Sequence, residues 1–456
     1  MSLPPEPQRV LSVPAAGLSG SVSSCAQQAL LDAQQAWLEG RPSVPGFLQQ
    51  AQEADPQWAF PLVLQALWCL GQAEADSPAR ARAWLNQAAA WLPGAPQQEL
   101  QHAHAAVAVL DGRWHEACRL WDDLLLGSPH DVLALLLAHH WDVQRGEALR
   151  LRQRPAAVLP DWDETDPSFA QVMGLYAAGL SENQLYPQAE DMGRRALALQ
   201  ARVPAAVVAV AQVMQSQGRF EDGTAWLRQH QPAWAEDAVQ ASHGWWLMGL
   251  FRLEAMDVPG LQRLVDAHLS GAALGSAQAR IDAVSLLWRM QCVGVDVGGR
   301  FAEVLQVSPP DAPGVAAGEH ARSDLHVLLA LLGAGELARA ERWVARCAER
   351  ALQPEEARRS NHAVARELGL PLMRSLLALS RGEGPRALAS LHAMRNSGHR
   401  LGGTAVRREW LDHTLLSAAC EVGAADIGRA LLNERRMSRP LTPLTRHWAA
   451  RLGLAL

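Results

Sequence analysis

VLDGRWHEACRLWDDLLLGSP, residues 109 to 129, decides the fold. Gly112 stands two places before Trp114, and Ala117, Trp121 and Leu124 follow at three- and four-residue spacing before Pro129. Apolar residues at that spacing share one face of a helix. A glycine just ahead of them suits the left-handed residue that ends the preceding helix. The stretch therefore predicts a helix, a tight turn at Gly112 and a second helix folded back on the first.

The frame returns along the chain. LSENQLYPQAEDMGRRAL carries Tyr186, Ala189 and Ala196, and QSQGRFEDGTAWL carries Gly218, Phe220, Gly223 and Leu227. GAGELARAERWVARC carries Gly335, Leu337, Ala340, Val344 and Cys347. SRGEGPRALASLHAM carries Gly382, Ala387 and Leu391, and EVGAADIGRALLNERRMSRP carries Gly423, Gly428, Leu432 and Pro440. These offsets are those of tetratricopeptide (TPR) hairpins. One hairpin cannot bury its apolar face alone, so neighbours must stack. Residues that alternate in the manner of strands are nearly missing, and the predicted fold is all-α, a right-handed α-solenoid of stacked TPR-like helical hairpins.

Two Pro-rich interruptions, RQRPAAVLPDWDETDP (152 to 167) and VSPPDAPGVAAGEH (307 to 320), mark boundaries or inserted loops. The expected organisation is a poorly ordered segment over 1–22, helical repeats over 23–305 and further repeats over 323–456. One continuous solenoid fits the same pattern.

Composition narrows the chemistry. A net charge of -6 gives a mildly acidic chain with no general attraction to phosphate backbones, so no nucleic-acid partner is expected. All 41 basic residues are Arg. A Walker A loop, a pyridoxal Schiff base and the Ser-x-x-Lys hydrolases all need lysine, so none can be built. No G-x-S-x-G elbow with its strand is present. Cys25, Cys69, Cys118, Cys292, Cys347 and Cys420 lie far apart in apolar contexts and read as buried reduced thiols. The start, MSLPPEPQRVLSVPAAGLSG, lacks a basic region followed by an apolar core, and no apolar run reaches membrane-spanning length, so a cytoplasmic protein without a membrane partner is expected.

The carboxylates of DWDETD (161 to 166) lack the glycine and terminal Glu of a calcium loop and read as a solvated turn. His139 and His140 are helix neighbours and point apart, and His115-Glu116 begins a zinc motif that no second His completes. No metal or other cofactor is expected. The Arg pairs at 194–195, 358–359, 407–408 and 435–436 read as solvated helix faces.

SHGWWLMGLF (242 to 251) is the candidate site. Laid on the repeat pattern, Trp245, Met248 and Gly249 are structural, with Trp245 filling the space between hairpins and Gly249 the point where its hairpin's two helices touch. His243, Trp246, Leu250 and Leu253 fall on a second stripe, which in such repeats lines the concave surface. Trp246 beside His243 is a candidate anchor pair, with a rigid indole face and one N–H donor.

The chain also resembles the tetratricopeptide repeat protein 38 family, from about residue 20 to the end. The carrying segments are GLYAAGLSENQLYPQAEDMGRRALAL (174 to 199), SHGWWLMGLFRLE (242 to 254), IDAVSLLWRMQCVGVDVGGRF (281 to 301), SDLHVLLALLGAG (323 to 335) and RLGGTAVRREWLDHTL (400 to 415). The resemblance implies a helical-repeat fold and no established reaction. It also implies a polar site, here partly replaced: Val208, Gln212 and Gln215 stand for His, His and Glu, Gly244 for Asn, Leu247 and Ala405 for His. Retained are His102, His139, His243, Asp324, His326 and Arg408. The expected ligand-binding set is His243, Trp246, Leu250, Val208, Gln212, His102, Asp324 and His326, with no catalytic residue.

The functional expectation is a non-catalytic repeat protein that binds a peptide, a protein or a small ligand on its concave face. The alternative is a metal-independent hydrolase or lyase of a small metabolite, built on His243, His326 and Asp324. A scaffold that assembles through its ends is a third reading.

Overall fold

The computed structural model describes residues 22–236, 238–312 and 315–455. Of the segment 1–22 expected to be poorly ordered, all but Val22 lies outside the described residues. The fold is all-helical, and among the described residues there is no strand.

Successive helices pair as hairpins. They are α1 (Ser24–Leu38) with α2 (Val44–Ala54), α3 (Phe60–Gln72) with α4 (Ser77–Ala88), and α5 (Gln97–Leu110) with α6 (Trp114–Gly127). Next come α7 (Val132–Arg145) with α8 (Ala148–Val158), α9 (Phe169–Glu182) with α10 (Tyr186–Leu199), and α11 (Pro204–Ser216) with α12 (Phe220–Gln229). The series continues with α13 (Ala238–Glu254) and α14 (Val258–His268), α15 (Ala277–Cys292) and α16 (Arg300–Val307), and α17 (Ala321–Gly333) and α18 (Leu337–Ala351). The short α19 (His362–Val364) runs through a π-helical turn into α20 (Leu370–Ser380), which pairs with α21 (Gly384–Met394). Last are α22 (Ala405–Arg408), the hairpin α23 (Trp410–Val422) with α24 (Ala425–Ser438), and α25 (Pro443–Arg451). The architecture is an α-solenoid of helical hairpins.

The two helices of a hairpin differ in pattern because they differ in surroundings. In α18, Ala340, Trp343, Val344, Cys347 and Ala351 are buried at helical spacing and the opposite face carries Arg and Glu, as a helix with one wet side requires. In α11, buried residues run almost all the way round, from Ala206 to Gln215. It is a first helix, held between α9, α12 and α13. First helices stack on first helices through α9, α11, α13, α15 and α17.

The turns at Gly112, Gly146, Gly218, Gly335, Gly382 and Gly423 are left-handed, with φ between +71° and +81°. Three hairpins make the same turn without glycine, at Ala73 (φ +55°), Gln184 (φ +59°) and Met256 (φ +53°). No glycine signal marks those three in the sequence.

Gly249 does not mark the approach of its own hairpin's helices. A Cβ there would lie 2.5 Å from Leu286 of α15 and 3.5 Å from Leu261 of α14, so the tight contact is with the next hairpin. Trp245 is half-buried, stacked 3.6 Å from the His268 ring at the end of α14. Of the cysteines expected to be buried, Cys25 is exposed and Cys420 half-buried, and all six are free thiols.

The packed interior forms one large cluster from Val207 to Ala449 and a second from Ala26 to Leu175. The larger cluster runs from Val304 and Leu305 to Ala317 and Leu325 without a break. Trp121, Trp246, Trp410 and Trp448 are fully buried, and truncating a residue of this kind to Ala costs about 3–5 kcal/mol.

The array closes on itself. α23 packs against α15 and α25 against α13, so the C-terminal hairpins fold back on the middle of the chain. Residues 395–408 then cross to the N-terminal half, where Gly403 N–H donates to Val143 O at 2.8 Å. The crossing is backbone against backbone: a Cβ on Gly146 would stand 1.9 Å from His399 O, and one on Gly402 would stand 2.1 Å from Gln144 O. Arg280 binds Glu74 at 2.9 Å, and Ser360 N–H donates to Gly112 O at 2.8 Å. Among the described residues, no helix is long and apolar enough to cross a membrane.

Candidate functional site

The crossing segment brings polar side chains from six helices together beneath it. Thr404, the N-cap of α22, receives a hydrogen bond from Gln212 Nε2 of α11 at 3.3 Å. The Ala405 amide donates to Glu182 of α9 at 3.0 and 3.1 Å, and Arg408 lies 3.5 Å from the same carboxylate. Arg322 of α17 donates through Nη2 to Gln144 of α7 at 2.7 Å.

At the centre lies His243 of α13. Arg407 Nη2 donates to its Nδ1 at 2.8 Å. A guanidinium has only donors, so Nδ1 is the acceptor and the ring proton sits on Nε2. Asp282 of α15 lies 3.4 Å from Arg407 and 3.9 Å from His243 Nδ1, and accepts from Gln278 at 3.0 Å and Ser242 at 3.5 Å. Burial, reinforced by the Arg407 charge, holds the His243 pKa well below its ordinary value, so the ring is neutral at pH 7.

Trp246 lies one turn beneath. It stacks on His243 with centroids 5.2 Å apart, and Arg289 and Arg407 each lie 5.5 Å from its ring. Cations over an indole face are attracted to its quadrupole. Arg289, fully buried on α15, donates to Val406 O at 2.8 Å, to Arg407 O at 3.0 Å and to Ser285. Burial pushes Arg289 down to about 10 and Arg322 down to about 9, and both stay cationic at neutral pH.

The expected residues divide. His243 keeps 12% of its side chain exposed and Arg407 14%, so both are in part open to water. Gln212 belongs to the same group through Thr404. Trp246 and Leu250 do not line an open concave surface: they are 0% and 2% exposed, Trp246 because His243, Arg289 and Arg407 surround it. Leu253 is buried as well, and Val208 is half-buried against the large apolar cluster.

His102 is elsewhere, in the N-terminal cluster, where Nε2 bonds Asp131 at 3.1 Å and Nδ1 accepts from Trp121 Nε1 at 3.2 Å. That is a satisfied core histidine. Asp324 and His326, two residues apart on α17, point different ways. Asp324 accepts from Gly318 N–H at 3.1 Å, while His326 Nδ1 bonds Arg322 O at 2.7 Å and its ring meets Trp410 edge-on. His243, Asp324 and His326 share no hydrogen bond.

Arg407, Arg322, Asp282, Arg289 and Glu182 are the residues that the sequence reading did not single out. Arg407 and Arg408 were expected on a solvated face. Both lie within the crossing, and Arg435, from another such pair, is held by Glu254 at 2.5 Å. Asp282 in IDAVSLLWRM, one carboxylate among apolar residues of a first helix, is the signal that was available.

Two surface hollows of about 620 Å³ each lie outside this group, one between α2, α3 and α4, the other around His115, Arg358 and Ser360. None of the expected site residues lines either. Among the described residues, no group of three or more His, Cys, Asp or Glu is arranged to hold a metal ion. No protein-family model matches the chain.

Proposed function

We propose that the protein is a non-catalytic, TPR-like binding protein of the cytoplasm, akin to the tetratricopeptide repeat protein 38 family, that takes a small ligand into the crevice at His243. The observation that carries this reading is the state of His243. Its Nδ1 is fixed by Arg407, its Nε2–H has no partner among the described residues, and water still reaches the side chain. A donor held in one tautomer and still partly open to water costs little ordering entropy when it meets a ligand.

Residues 395–408 occupy the interior where an extended peptide would run, which favours a small ligand over a peptide or protein. The hydrolase or lyase alternative needs His243, His326 and Asp324 together, and the separate hydrogen-bond partners of the three lend it no support.

The test is mass spectrometry of small molecules released from the purified full-length protein and from a His243→Leu variant, with folding of both checked by circular dichroism. The reading expects a species recovered from the wild type at near one per chain and lost from the folded variant. The same species in both, or in neither, rejects it.

A further inference from the structure

We infer that the His243 crevice takes an anionic oxygen group, the carboxylate or phosphate of a small molecule, held by Arg322, Arg407 and His243. The inference rests on the reading of this crevice as a ligand site and names the chemistry of its occupant.

The balance of charge carries the argument. Four guanidinium groups meet at the crossing, Arg289, Arg322, Arg407 and Arg408, and two carboxylates oppose them, Asp282 and Glu182. Glu182 is matched to Arg408 and the Ala405 amide, and Asp282 to Arg407. The next carboxylates along the interior, Glu409 and Glu254, are engaged by Arg435 and Arg439. Among the described residues Arg322 makes no ion pair of its own: its side chain donates to the Gln144 amide oxygen, and the carboxylate whose charge reaches it, Asp282, is shared with Arg407. Protonating Asp282 would only enlarge the excess. Buried charges are paired as a rule, because an unpaired one leaves its desolvation cost uncompensated.

Donor geometry agrees with the charge. Arg322 is 7% exposed and its Nε is buried without a partner. Among the described residues its Nη1, the Nε and Nη1 of Arg407 and the Nε2–H of His243 have no hydrogen-bond acceptor and are not among the buried orphans, so they face space that water reaches. A site where N–H donors outnumber the acceptors beside them, Asp282 and Gln144, is complementary to an oxyanion, and a guanidinium presents its donors in a plane that matches a carboxylate or phosphate edge. Neutral His243 adds a donor without adding to the repulsion between the arginines.

The experiment is thermal unfolding and isothermal titration calorimetry of the full-length protein with inorganic phosphate and, separately, with succinate, at constant ionic strength against sodium chloride. The two arms separate a phosphate from a carboxylate ligand. At least one probe is expected to raise the unfolding midpoint by several degrees beyond chloride. Arg322→Gln and Arg407→Gln are expected to weaken binding by about tenfold or more, the loss typical of a charge-assisted hydrogen bond.

Without added anion, Arg322→Gln is expected to unfold no earlier than the wild type, because it removes a charge from a cationic excess; Arg407→Gln also removes the partner of Asp282 and is compared for binding alone. Arginines with a merely structural role would give the opposite shift. The inference is overturned if neither probe stabilises the protein beyond chloride, or if both variants, shown folded by circular dichroism, keep the full response. A neutral molecule released from the wild type and lost from His243→Leu would overturn the anion assignment while leaving the ligand site. Failure of the probes together with no released species would remove both.

Discussion

Asp324 sits 4% exposed on α17 with Oδ2 unpartnered, and burial pushes its pKa up to about 7 from 3.8. Between those values the folded chain holds a proton that the unfolded chain releases. Stability therefore falls as pH rises through this window, by at most about 1.4 kcal/mol per pH unit, and levels off above about 7. Asp324→Asn keeps an oxygen for the Gly318 amide and carries no charge. Its unfolding midpoint is expected to gain on the wild type as pH is raised from 5 to 7.5, and a constant difference across that range would contradict the account. Asp324 thus acts on stability, although the family resemblance had grouped it with His326 in a polar site. The sequence could place His243 on a helix face, because that is periodicity. It could not pair His243 with Arg407, 164 positions away, because nothing local distinguishes an arginine that ends in solvent from one that crosses an interior.

At the scale of elements, a glycine in the turn was the plainest mark of a hairpin; the hairpins that turn at Gln184 and Met256 were read from their helix patterns instead (Tyr186, Ala189 and Ala196; Trp245, Met248 and Gly249), and those that turn at Ala73 and Gly146 were not singled out. Side chains in that conformation cost roughly 1–2 kcal/mol, and glycine avoids this at an entropic cost of about 0.5–1 kcal/mol. Gln184 is exposed and its side chain has no hydrogen bond among the described residues, so Gln184→Gly is expected to stabilise the α9–α10 hairpin by up to about 1 kcal/mol. Equilibrium denaturation in urea reads this as a higher midpoint at unchanged slope, and a lower midpoint would refute it. The crossing segment is the element that periodicity could not reveal, since RNSGHRLGGTAVRR has no helical stripe and reads as a loop between repeats. Its course depends on close approaches at Gly146 and Gly402 that are made with distant parts of the chain.

At the scale of the molecule, the two ends of the α13-to-α25 half are tied by ions within the protein. Glu254 is 1% exposed and accepts from Arg435 at 2.5 and 2.6 Å and from Thr442, while Glu409 engages Arg435 at 3.0 Å as well as Arg439. Glu254→Ala leaves buried cations short of a partner and is expected to cost about 3–5 kcal/mol, read as a drop in urea midpoint. A loss under about 1 kcal/mol would mean that the network relaxes freely. An open solenoid can gain or lose a hairpin anywhere, because each unit touches only its neighbours. Here Gly402 must reach Gly146, Thr404 must reach Gln212 and Arg407 must reach His243, all at once. Inserting or deleting one hairpin between residues 146 and 402 would carry these partners out of reach of each other. The number of hairpins between them is therefore fixed like the number of staves in a barrel, and duplication of a unit, the ordinary way in which repeat proteins lengthen, is closed to this chain.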